Sequence, residues 1–247
     1  MKNIRTLSLA AALLAGVAAV PAQAALYTAS FGTVQPGPSD CDDCSAGPVS
    51  FGAGQSLAFF GSTYGGLFVG SNGYVTFGAG ASSFSPQPLN TQAIRPMIAG
   101  LFTDLDSRGD AASTVWVNNS VLGQLVVTWS QMGHFAQNYT VRSTFQLVIR
   151  SDQFAIDPSE GQIGFFYDTI TDPNLASAGF GDGLAAVNAG EVAFHTQASG
   201  TILSNAAPRW YNLSGGTPVD VPEPGGLALV GAALAGLGLA SRRKRKA

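Results

Sequence analysis

The residue types best able to do chemistry fall in two short acidic segments and two isolated histidines. Cys41-Asp42-Asp43-Cys44 is a C-x-x-C pair and holds both cysteines of the chain. Zinc would need four ligands, and the sequence offers neither a second cysteine pair nor a nearby histidine. A redox thiolate needs positive surroundings, whereas two intervening aspartates push a thiol pKa up. The remaining use is a small disulfide, formed in an oxidising compartment, that pins a Pro-, Gly- and Asp-rich loop. Cys41 and Cys44 are therefore disulfide candidates.

Asp104-Leu105-Asp106-Ser107-Arg108-Gly109-Asp110 is the second segment. Alternate aspartates before a glycine resemble the start of a calcium loop, because hard cations take several oxygens from one turn. The EF-hand pattern fails, since Arg108 occupies a ligand position and no Glu closes the loop. Asp104, Asp106 and Asp110 are thus weak calcium candidates beside a structural role in capping a turn. No other cofactor is expected. The Arg108-Gly109-Asp110 tripeptide is discounted as an integrin motif.

His134 and His195 are the only histidines. No serine stands in a Gly-x-Ser-x-Gly elbow, so no nucleophile–base–acid set is visible and no catalytic residue is assigned. Paired carboxylates for glycoside hydrolysis leave no local mark, but the stretch between residues 25 and 220 holds only Glu160 and Glu191 beside its aspartates. A secreted polysaccharide hydrolase stays a rival reading for that reason. Asn138-Tyr139 and Trp210-Tyr211 could expose aromatic rings to sugars or bury them in a core.

The chain that must position these groups has 247 residues, 46% apolar and 11% charged, with a formal charge of -3. Such composition excludes a disordered polymer, and the basic residues are badly placed for nucleic acid. Residues 25–220 carry five arginines and no lysine against fourteen acids, a charge of −9. Basic residues gather at the two ends instead. Residues 1–24 read as a signal peptide, with Lys2 and Arg5, an apolar run from Leu7 to Val20 and a cleavage site after Ala24. At the other end Pro222-Glu223-Pro224 precedes the uncharged stretch 225–240 and the basic cluster 242–246. That stretch is expected to form one transmembrane helix with a cytoplasmic C-terminus, so the domain faces outward.

Between the ends the pattern is period-two. Phe145, Leu147 and Ile149 share one face, as do Leu125, Val127 and Trp129, and Ile163, Phe165 and Tyr167. Asn72-Gly73 marks a hairpin turn between short strands at 67–69 and 74–77. Further strands are expected near 57–60, 97–103, 113–118, 184–188 and 191–195. The predicted fold class is all-β, an antiparallel β-sandwich or a close relative.

The C-terminal arrangement resembles the PEP-CTERM sorting signal of Gram-negative bacteria: Pro222, Glu223 and Pro224, a short apolar helix and a basic tail. The resemblance implies signal peptidase and an exosortase-type membrane protease as processing partners, with release or transfer to the cell surface. The blocks Phe59-Phe60-Gly61 with Tyr64, then 67–78 and Arg95-Pro96 through Asp106, resemble a nidogen-like (NIDO) domain. Thr128-Trp129, Ser143-Thr144-Phe145-Gln146, Gly164-Phe165-Phe166-Tyr167 and Ala178-Gly179-Phe180 follow in order. This implies a non-enzymatic extracellular module for cell–matrix adhesion, with extracellular polysaccharide or matrix protein as its partner. The expected organisation is an N-terminal segment (25–56) with the Cys41/Cys44 loop, a nidogen-like domain (57–200), a linker (201–220) and the sorting signal (221–247). A carbohydrate-binding module differs from this reading only in its ligand.

Overall fold

The computed structural model describes residues 25–91, 94–171, 175–184, 193–195 and 207–221. The signal segment ending at Ala24, the sorting residues Pro222, Glu223 and Pro224, and the expected helix 225–240 lie outside them, as does most of the expected strand near 184–188. Among the described residues no helix is long and apolar enough to cross a membrane.

In chain order the first strands are β1 (Thr33–Val34), β2 (Ser45–Ser50), β3 (Leu57–Phe59), β4 (Ser62–Tyr64), β5 (Gly66–Gly70) and β6 (Tyr74–Thr76). They are followed by β7 (Met97–Phe102), β8 (Leu105–Asp106), β9 (Thr114–Asn118), β10 (Gln124–His134) and β11 (Asn138–Arg150). The last are β12 (Ile163–Ile170), β13 (Ser177–Gly181), β14 (Ala193–His195), β15 (Arg209–Ser214) and β16 (Thr217–Asp220). One sheet runs β1-β9-β10-β11-β12-β15-β16, with β8 also pairing with β10. A second runs β14-β13-β7-β6-β5-β2, and β3 with β4 makes a small third sheet. The strand pairs are antiparallel, so the all-β expectation holds.

The two main sheets meet through the period-two faces. Leu125, Val127, Trp129, Phe145, Leu147, Phe165 and Tyr167 of one share a buried cluster with Val69, Val75, Ile98, Leu101 and Phe180 of the other. Two polar handles cross the gap: Trp129 Nε1 donates to Gly70 O at 2.9 Å, and Tyr167 Oη to Gly100 O at 2.8 Å. Gly100 lies under the Phe145 ring, where a Cβ would sit 3.0 Å from a ring carbon. A larger residue there would wedge the sheets apart.

The structure departs from the expected organisation at both flanks. Residues 209–220 are not a linker, because β15 pairs with β12 and β16 closes a hairpin over Gly215-Gly216. Both glycines have positive φ, 60° and 84°, which suits a two-residue hairpin turn. Residues 25–56 are not a separate segment either, since β1 pairs with β9 and β2 with β5. The physical reason is cover. On the outer face of the large sheet, Val126, Val148 and Phe166 form their own cluster under Tyr27 and Trp210. Without these flanks that apolar face would be left in water.

At the turn expected from Asn72-Gly73, only Gly73 has positive φ, 79°. A Cβ there would stand 1.9 Å from Leu101 O. Asn72 turns its side chain inward and is fully buried.

Candidate functional site

The polar end of the molecule is built around that asparagine. Asn72 Nδ2 donates to Asp43 Oδ1 at 2.8 Å and to Ser83 O at 3.1 Å, while its Oδ1 accepts from Leu105 N at 2.8 Å. One side chain thus joins the cysteine loop, the loop after β6 and the start of β8. Tyr74 Oη reinforces the middle contact, donating to Ala81 O at 3.1 Å and accepting from Ser83 N at 2.9 Å.

Cys41 and Cys44 are disulfide-bonded, with Cα atoms 6.0 Å apart. The loop is docked by two fully buried serines. Cys44 N donates to Ser71 Oγ at 3.1 Å and Cys41 N to Ser107 Oγ at 3.0 Å, and Ser71 Oγ donates to Asp42 O. This docking brings Asp42 and Asp43 to Asp104, where one carboxylate oxygen from each lies within 4.8 Å of the others.

The three calcium candidates of the aspartate segment are separated by this arrangement. Asp106 accepts from Arg108 Nε at 2.9 Å, Arg108 Nη2 at 2.6 Å, Arg108 N at 3.1 Å and Gln137 N at 3.1 Å. Asp110 accepts from Arg142 Nη1 at 2.7 Å. Each is committed to an arginine, so a set of Asp104, Asp106 and Asp110 is not assembled. Among the described residues the group able to hold a hard cation is Asp42, Asp43 and Asp104. Its two other members come from the cysteine loop, a distant stretch of sequence. The same pairing ties up the Arg108-Gly109-Asp110 tripeptide at both charged ends.

The electrostatics follow from the count of charges. Asp42 shares Arg108 with Asp106, at 2.8 and 2.6 Å from Nη2. Burial and the neighbouring Asp106 and Asp43 carboxylates raise the Asp42 pKa, and its Oδ1 is buried without a hydrogen-bond partner. Burial, then Asp42, Asp43 and Asp106, pushes Asp104 up to about 6 against the pull of Arg108. Burial also acts to raise Asp106, but the hydrogen bonds from Arg108 outweigh it and hold that carboxyl low.

Asp104 also lines a cavity of about 480 Å³ with Phe84, Phe135, Leu175, His134 and Asn138. The volume is within the range of small-molecule sites. Phe135 stands on the three-residue turn between β10 and β11, where Ala136 and Gln137 take positive φ, 61° and 57°. Phe84 stands in the Ser- and Pro-containing loop that Asn72 and Tyr74 pin. Phe84 is 49%, Phe135 67% and Leu175 47% exposed. The walls are cross-tied: Phe135 N donates to Asp104 O at 3.1 Å, and Thr103 Oγ1 to Leu175 O at 2.7 Å. Asn138 Oδ1 accepts from Thr140 Oγ1 at 2.5 Å, and among the described residues nothing accepts a hydrogen bond from its amide nitrogen. His134 is buried, with Nε2 3.1 Å from Ser143 Oγ, and burial lowers its pKa to about 4.

Trp210 and Tyr139 are not free sugar platforms. Trp210 lies under Arg150, with the guanidinium 4.7 Å from its ring, and packs edge-on against Tyr27 and Phe166. Tyr139 Oη donates to Arg108 O, and its ring lies 5.3 Å below the Arg142 guanidinium. His195 falls in β14. Among the described residues the exposed aromatics are Phe84 and Phe135, which pattern reading missed. Their signal was available: an aromatic inside a tight turn or a Ser/Pro loop has no strand face through which to reach a core.

Comparison with known proteins matches residues 19–212 to the family described as NIDO related. Residues 220–245 match the PEP-CTERM protein-sorting motif. No curated protein and no solved structure matches the chain.

Proposed function

The chain belongs to the NIDO-related family and carries the sorting motif of an exported protein; from that premise we propose a non-enzymatic binding role at the cell surface or in the extracellular matrix. The motif implies processing by an exosortase during export. The partner in this reading is extracellular polysaccharide or matrix protein, and the outcome is cell–matrix adhesion or association with biofilm polymer. One observation carries it. The two exposed phenylalanines and an exposed leucine, from three different loops, converge on a single cavity beside Asp104. Apolar side chains left in water together mark a contact surface.

The test is co-sedimentation of the exported protein with the matrix polymer of its own cells. Retention lost on Phe135→Ala supports the reading, and no retention at all defeats it. Intact mass of the native protein tests the sorting half: a chain beginning at Ala25 and ending near Val221 is expected at the surface. A chain still carrying Lys246 in the inner membrane would make the tail a plain anchor.

A hydrolase reading draws on one specific feature, the raised Asp104 with two carboxylates close by. Glycoside cleavage needs two carboxylates flanking the bond. Asp42 and Asp43 are not among the residues lining the cavity, which favours binding over cleavage. Release of reducing ends from the polymer would reverse that preference. The calcium expectation moves with the carboxylates to Asp42, Asp43 and Asp104. A melting temperature equal in millimolar calcium and in chelator would sink it.

A further inference from the structure

The charge around the cavity narrows what it can hold. Four carboxylates, Asp42, Asp43, Asp104 and Asp106, act on one another around the single guanidinium of Arg108. Among the described residues no group donates a hydrogen bond to the Asp104 carboxylate. The domain as a whole is strongly acidic and has no lysine. An acidic polymer would therefore be repelled, and a neutral one would leave Asp104 without a counter-charge. The two phenylalanine rings, in contact with no other ring among the described residues, offer apolar faces at the scale of a pyranose. The free Asn138 amide offers a donor for a hydroxyl.

We infer that this cavity binds amino-sugar residues of an extracellular polysaccharide, hexosamines whose nitrogen is a free ammonium. This rests on the binding role proposed above and names its ligand class. The C–H faces of the sugar lie against Phe84 and Phe135, the ammonium donates to Asp104, and a ring hydroxyl accepts from Asn138 Nδ2. A lysine-rich protein also brings an ammonium. Its unbranched stem, however, presents neither a flat face for two rings nor a hydroxyl for Asn138, so the sugar is the better fit.

The exported protein, held in chelator so that no metal neutralises Asp104, is titrated by calorimetry with four probes. These are a glucosamine oligosaccharide, its fully N-acetylated counterpart, a neutral glucan oligosaccharide and an oligolysine peptide. The glucosamine chain is expected to bind at least about tenfold tighter than the acetylated one, the fold-change of one charge-assisted hydrogen bond. Asp104→Asn abolishes that preference, and Phe135→Ala weakens both sugars. Asp157→Asn, in the loop after β11 at the far end from Asn138, changes neither. Circular dichroism confirms that each variant is folded, and an unfolded Asp104→Asn is replaced by Asn138→Ala, which must weaken the sugars alone. Equal binding of both aminated and acetylated chains overturns the inference while the polysaccharide role stands. Tighter binding of oligolysine overturns it in favour of a protein partner. Failure of every probe by a protein that still co-sediments with native polymer overturns the ligand class only, and failure of co-sedimentation removes the binding role itself.

Discussion

Strand β11 runs from Asn138 to Arg150 and joins two ends of the molecule that treat arginine in opposite ways. At the far end Arg150 is 1% exposed and fully employed. It donates to Gln124 Oε1 at 2.8 Å, Gly161 O at 2.8 Å, Tyr27 Oη at 2.9 Å and the Glu160 carboxylate. Trp210, Phe154 and Tyr27 rings cover it. One cation meets one anion, and the outer face of the sheet is closed. At the near end Arg108, with 46% of its side chain exposed, is divided between Asp42 and Asp106. Asp104 is left over, beside a cavity with exposed aromatic walls. A matched charge inside a ring of aromatics builds a fold; an unmatched one at an open cavity leaves binding capacity.

Variants at the two ends separate these roles. Arg150→Met should show the largest effect, about 3–5 kcal/mol lost in urea unfolding, as expected when a buried ion pair loses one partner. Polymer binding by the folded fraction should be unchanged. A loss below about 1 kcal/mol would place Arg150 with ordinary surface ion pairs and break the contrast.

Acidification tests the near end. His134 titrates at about 4 in the fold because burial disfavours its charge, against about 6.5 in an unfolded chain. Between those values the unfolded chain binds the additional proton. Stability from this group is therefore fully present above about pH 6.5 and lost as pH falls toward 4, at most about 3 kcal/mol. Asp104 works in the opposite sense in the same window, so the comparison is with His134→Asn, in chelator. The pH slope between 6.5 and 4 should be shallower in that variant. Equal slopes would show that His134 gains its proton without cost.

Asn72→Ala removes three hydrogen bonds, including one to the buried Leu105 N–H, and should cost about 2 kcal/mol. Because Asn72 holds the loop that carries Phe84 and also Asp43, polymer binding should fall with it, unlike in Arg150→Met. Intact binding would mean that Tyr74 alone positions the Phe84 loop. Asp104→Asn should have the smallest effect and the opposite sign. Removing one of three crowded carboxylates should raise the unfolding free energy slightly, by less than about 1 kcal/mol, with a small rise in melting temperature. A drop instead would show that Asp104 supports the fold rather than awaiting a partner.

Much of the large sheet was legible in the sequence, and most of the site was not. The alternation of Phe145, Leu147 and Ile149 with Thr144, Gln146 and Arg150 correctly set the inner face of β11. Period-two spacing is by itself the mark of a half-buried strand, with its second face in water. Gln146 and Arg150 are nevertheless buried, because Thr28, 118 positions away, bonds to Gln146, and Tyr27, 123 positions away, covers Arg150 together with Trp210. A period reports which residues share a face, but not what another part of the chain lays over it. At the site, Asp104 was singled out beside Asp106 and Asp110, its neighbours along the chain. Its neighbours in space are Asp42 and Asp43.

The sequence by itself determined the central strands with their period-two faces, the sorting motif, the disulfide-bearing loop and the acidic, lysine-free character of the domain. Each of these is written in local spacing or composition, which needs no partner to be read. Only the tertiary structure decided which carboxylates keep a counter-ion, that Trp210 is covered while Phe135 stands in the open, and that three loops enclose one cavity. Those outcomes depend on groups far apart in the chain meeting at a few ångströms. Burial and Coulomb interaction respond to that distance and not to separation along the sequence.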